Sequence, residues 1–103
     1  MTRVDVRGRF IGEPIEVDTA TMVPSGGGGP SCPGSFRWRG RAYHVARVLE
    51  TGRRLSPDGY VRQHRFRVVT AEGMVCVIAC DRKVRRGANP WQMLVVEESL
   101  RDR

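Results

Sequence analysis

Apolar and polar residues alternate in short runs along most of the chain, and no stretch carries apolar positions at helical spacing through three turns. Alternation with period two puts successive side chains on opposite faces of a strand, so it predicts strands with one face buried. The clearest case is Phe36-Arg37-Trp38-Arg39, in which Phe36 and Trp38 share one face and Arg37 and Arg39 the other. Gly40 supplies the reversal, because glycine accepts positive φ without strain. Tyr43, Val45 and Val48-Leu49 form the returning strand, which ends near Leu49. Arg65-Phe66-Arg67-Val68-Val69-Thr70 repeats the arginine–aromatic alternation, and Ala71-Glu72-Gly73 turns the chain back. Residues 74–80 and Trp91–Val96 are apolar on both sides, as inner strands are. Ile15-Glu16-Val17-Asp18-Thr19 alternates as a further strand, and residues 4–10 as an edge strand. Between them Ile11-Gly12-Glu13-Pro14 reads as a turn-rich break.

The remaining segments predict loops. Residues 24–34, PSGGGGPSCPG, have no periodicity and read as a flexible connection that packs no core. They do not form a phosphate loop, which needs a lysine and a hydroxyl residue after its second glycine; Pro30 and Pro33 follow here instead. Residues 50–63 are polar and contain the turn Pro57-Asp58-Gly59. Residues 81–90 make a second long loop carrying Arg82, Lys83, Arg85 and Arg86, and residues 97–103 a mixed-charge tail. About six short strands separated by turns predict one all-β domain over residues 1–103. A small barrel or strongly bent antiparallel sheet with long flexible loops is expected, because a flat sheet of this size would expose its apolar strands and edges.

Charge sharpens this picture. The formal net charge is +7, and only Lys83 of the 18 basic residues is a lysine. Residues 1–23 hold three arginines and four acids, residues 35–68 nine arginines and two acids, and residues 69–103 six basic and five acidic residues. The whole excess therefore lies in the middle third. Such a localised excess suits a polyanionic partner, and equally a solvated basic face. Three cysteines, Cys32, Cys76 and Cys80, and no apolar run of signal-peptide or membrane-spanning length are consistent with a reduced, cytoplasmic protein.

Two blocks resemble a family of small bacterial all-β domains of unknown function: Phe10-Ile11-Gly12-Glu13-Pro14-Ile15-Glu16-Val17, and the run from Phe36 to Glu50 with its Trp-Arg-Gly-Arg-x-Tyr-x-Val core. Phe66-Arg67-Val68, Gly73, Asp81 and Trp91-Gln92-Met93-Leu94 are similar to the family's C-terminal half. The chain departs from the pattern at Thr51-Gly52, where the family tends to carry a tryptophan. Members are often encoded beside translesion (Y-family), error-prone DNA polymerase genes. The resemblance thus implies a role in DNA damage tolerance, and it brings no catalytic residues with it.

If the two arginine-bearing strands share a sheet, Arg37, Arg39, Arg65 and Arg67 line its polar face, with Arg41, Arg47 and Arg62 extending the patch. Guanidinium groups bind phosphates bidentately and stack on bases. Of these, Arg37, Arg39, Arg41, Arg65 and Arg67 are the candidate nucleic-acid contacts. Phe36, Trp38, Tyr43, Phe66 and Trp91 fall on core positions, leaving Tyr60 as the exposed aromatic. Cys76 and Cys80 have zinc-like spacing, but in a strand they stand about 13 Å apart, too far for one ion. No metal or cofactor is expected. Nothing orders a nucleophile with His44 or His64, so no enzyme is expected either. Two functions remain: a basic, non-catalytic accessory domain that binds nucleic acid, or a module that docks on a repair polymerase or its accessory protein.

Overall fold

The structure is a computed structural model that describes residues 8–24 and 31–97. Its elements are β1 (Arg9–Pro14), β2 (Glu16–Val17), a 3-10 turn (Thr19–Thr21), β3 (Val23–Pro24), β4 (Ser31–Cys32), β5 (Ser35–Trp38), β6 (Arg41–Leu55), β7 (Val61–Thr70), β8 (Val75–Asp81) and β9 (Trp91–Val96). Seven strands form one antiparallel sheet in the order β1-β9-β8-β7-β6-β5-β2, and β3 pairs with β4 beside it. The expected all-β architecture is what forms, with the sheet curled into a half-barrel. Its two edge strands are consecutive in the chain, separated only by Ile15. Ile15 is buried, its N–H donates to the Trp91 carbonyl (3.3 Å), and its carbonyl accepts from the Asn89 amide (2.7 Å). The corner between the two edges is thereby pinned to the start of β9.

The concave side holds the core. Phe36, Trp38, Tyr43, Phe66 and Trp91 are all buried there, as their alternation requires, with Val68, Cys76, Ile78 and Met93 between them. Phe36 stacks on Tyr43 at 5.6 Å between ring centroids, and Phe66 on Trp91 at 6.1 Å. Burying each such side chain contributes roughly 1.5–3 kcal/mol. On the convex side, Val75 and Ala79 of β8 are buried too, which explains why that strand is apolar on both faces.

Three local expectations are corrected. Residues 11–14 are not a break but the second half of β1. A bulge between Phe10 and Glu13 absorbs Gly12 at φ 67°, and Pro14 is tolerated because β1 is an edge strand. Of the strand expected over residues 4–10, the described part forms at Arg9 and Phe10; residues 4–7 lie outside the described residues. Second, β6 does not end near Leu49. It continues to Leu55 and pairs with β7 from Val45↔Thr70 to Leu55↔Val61, so the connecting loop is only residues 56–60. Side chains 50–55 are exposed on both faces, so no hydrophobic alternation marks the strand. Third, residues 24–34 do reach the core. Cys32 and Pro33 are fully buried, and the Gly34 N–H donates to the Thr21 carbonyl (3.0 Å). Residues 25–30, and 98–103 of the tail, lie outside the described residues.

Candidate nucleic-acid interface

The five arginines read from the sequence do not converge. Arg39 is not on a strand: it and Gly40 both have positive φ, 52° and 77°, the geometry of a two-residue type I′ hairpin turn. The turn folds Arg39 back over the Trp38 ring (4.5 Å to the centroid) and onto the Glu13 carboxylate, with contacts of 2.8 and 2.7 Å. The Trp38 indole donates to the same carboxylate at 2.9 Å. The Arg39 bond, then the Trp38 bond, hold the Glu13 carboxyl below its usual range, and Glu13 raises the Arg39 guanidinium in return. Arg41 stands opposite Trp38 and so faces the concave side, 5.9 Å from the Tyr43 ring. Arg37 takes the opposite face and donates to the Gly40 carbonyl (3.1 Å).

Arg65 and Arg67 sit together on the convex face of β7, as expected. Arg67 is held by both oxygens of Glu97 at 2.8 and 2.9 Å, which raises its pKa, and Arg65 donates to Gln63 Oε1 at 2.7 Å. Arg37 is level with Ala42 of β6 and Arg65 with Gly52. Ten residues of strand separate those levels, up to about 33 Å along the chain. Two groups result, one around the β5–β6 turn and one on β7, and each has one member neutralised by an acid.

A different cationic cluster forms at the free end of the β6–β7 hairpin. Arg53 pairs with His64 and Arg54 with Gln63. The Arg82 N–H donates to the Arg62 carbonyl (2.8 Å), which brings the loop of residues 82–90 against the hairpin. Arg54, Arg62 and Lys83 line a cavity of about 220 Å³ together with Leu55, Ser56, Pro57, Gln63 and Asp81. The Asp81 carboxylate is occupied by the amides of Gln63 (2.8 Å) and Gln92 (3.3 Å). Among the described residues, the ion pairs involve Arg39, His44 and Arg67, and none involves Arg53, Arg54, Arg62, Arg82 or Lys83. The local field is positive enough to act on His64: burial, then Arg82, then Arg53 lower its pKa. Tyr60, at the hairpin tip, is 74% exposed, in line with its reading as the exposed aromatic.

The charge count located this excess in part, since Arg53, Arg54 and Arg62 belong to the basic middle third. It missed the contribution of Arg82 and Lys83, which arrive through a pairing distant in sequence.

The cysteines are placed as small core residues. Cys76 and Cys80 lie in β8, level with Val68 and His64 of β7. Burial pushes the Cys32 thiol to about 11 and the Cys76 thiol to about 12. Among the described residues, no three His, Cys, Asp or Glu side chains are grouped to hold a metal ion. His44 pairs with Glu72 at 2.8 Å, at the β7–β8 turn. No described helix is long and apolar enough to cross a membrane.

The model of the family described as Domain of unknown function (DUF6504) matches residues 1–98, and the chain belongs to that family. No curated protein and no solved structure matches it.

Proposed function

We propose that this member of the DUF6504 family is a non-catalytic basic domain that binds nucleic acid through the end of its β6–β7 hairpin. The observation that carries the reading is a set of five cations at one end of the hairpin, Arg54, Arg62 and Lys83 around the cavity and Arg53 and Arg82 by His64 on the other face, none of them in an ion pair among the described residues. Cations outside ion pairs are what a polyphosphate neutralises, and each neutralised phosphate releases counterions. The exposed Tyr60 ring beside them offers a π face for a base. Of the arginines first expected to make phosphate contacts, Arg37, Arg41 and Arg65 form no ion pair among the described residues and stand as secondary contacts. Arg39 and Arg67 are held by Glu13 and Glu97. The service of this binding is DNA damage tolerance, close to a translesion polymerase, as the family's gene neighbourhood implies.

Fluorescence anisotropy with labelled oligonucleotides tests the proposal. The combined Arg53→Gln, Arg54→Gln and Arg62→Gln variant should weaken binding tenfold or more at low salt, while Arg37→Gln with Arg41→Gln changes it about twofold. No binding by the unaltered protein, or the reverse order of effects, refutes it.

A further inference from the structure

β6 is 15 residues long, but β5 covers only its first four, from Arg41 to His44. The line of β5 gives out where the Gly34 carbonyl accepts from Val45 N–H (2.9 Å), because the chain then turns inward through the buried Pro33 and Cys32. From Arg47 to Leu55, β6 pairs with β7 on one side, and among the described residues no strand pairs with the other. A half-used strand of this length presents a row of backbone donors and acceptors, the template for strand addition. Gly52 lies in its middle. A Cβ there would meet nothing within 4 Å, and no left-handed φ requires glycine, so packing does not account for it. A bare backbone within a strand commonly marks close approach by another backbone.

The geometry points to β6, residues 47–55, as the docking edge for an extended acidic segment of another protein, added as a further strand. Charge selects the occupant. Arg47, Arg53 and Arg54 flank the edge against the single acid Glu50, and none of the three arginines is in an ion pair among the described residues. A second copy of the chain would bring the same arginines against themselves, whereas an alternating acidic strand places a carboxylate beside each. The inference stands apart from nucleic-acid binding. It shares Arg53 and Arg54 with that reading but requires the backbone of the edge, so an acidic segment seated here competes with a polyphosphate.

The probe is a capped octapeptide alternating glutamate with valine and threonine, titrated into the labelled protein and followed by amide chemical shifts and hydrogen exchange. Amides of residues 47–55 should shift, and exchange should slow at least tenfold at those facing away from β7. A fully N-methylated copy keeps the charges but has no backbone donors, and should lose that protection. A lysine-for-glutamate copy should not bind. The Arg53→Glu, Arg54→Glu variant, altered only at exposed positions, should exchange preference and take the lysine peptide. Four outcomes overturn the inference: shifts confined to other strands, equal protection by the N-methylated peptide, protection of the amides facing away from β7 without any peptide, and protection that follows dimerisation. Loss of oligonucleotide binding with the edge result intact, or the converse, separates this inference from the nucleic-acid proposal.

Discussion

Salt dependence tells which arginines meet the phosphates, and the structure sets the expected slope. The perturbation is a rise from 50 to 200 mM monovalent salt, with the log of the binding constant followed by anisotropy. If Arg53, Arg54, Arg62, Arg82 and Lys83 each neutralise one phosphate, the slope against log salt is about −3.5 on a single strand and about −4.5 on a duplex. Over that fourfold range, affinity falls by about 130-fold and about 500-fold respectively. The alternative surface gives less, because Glu13 and Glu97 already hold Arg39 and Arg67. Only Arg37, Arg41 and Arg65 then remain, with a slope near −2.1 on a single strand and a loss of about 18-fold. Each neutral substitution within the hairpin cluster should bring the slope closer to zero by about 0.7 on a single strand and about 0.9 on a duplex. A slope near −2 that Arg53→Gln and Arg62→Gln leave unchanged would refute the assignment of the interface to the hairpin end.

Three further outcomes follow from packing and charge. Phe66→Ala removes a fully buried ring stacked on Trp91 and should cost about 3–5 kcal/mol in urea denaturation, whereas Phe10→Ala, at a position 71% exposed, should stay within about 0.5 kcal/mol; equal costs would show that the core is misplaced. Gly52→Ala should raise stability by about 0.5–1 kcal/mol, since a methyl group there has open space, and a fall in the urea midpoint would contradict that geometry. The Glu72 carboxyl is lowered from its ordinary 4.5, first by its bond to the His44 side chain. Its folded-state value lies below the unfolded one, so its contribution is complete above about pH 4.5 and is lost as pH falls through the lower folded value. Melting temperature should therefore drop less on acidification for Glu72→Gln than for the unaltered chain, and parallel curves would show that the pair contributes nothing.

The strands legible in the sequence are those with one or both faces buried. Trp91–Val96 matches its expected bounds, and the arginine–aromatic runs place Phe36, Trp38 and Phe66 inward as alternation demands. Where solvent reaches both faces, as over residues 50–55, the backbone ladder alone makes the strand, and composition carries no trace of it. The same limit hid the hairpin-end cluster, which depends on where Arg82 and Lys83 land against a strand that read as loop. Arg39 was misplaced for a different reason. Alternation assigns it to the strand, but a type I′ turn needs two residues at positive φ, and Gly40 supplies only one.

The pairing of β1 with β9 has a consequence for how the molecule is made. Arg9 lies beside Val96, so the first described strand waits for the last one before it has a neighbour. Until β9 leaves the ribosome, Ile15 also lacks the Trp91 carbonyl and the Asn89 amide that hold its corner. Closure of β1 onto β9 accordingly cannot precede synthesis of residues 91–96, and pairings so remote in sequence form slowly. A nascent chain stalled before residue 91 would hold a β6–β7–β8 meander with its aromatic interior uncovered along one flank.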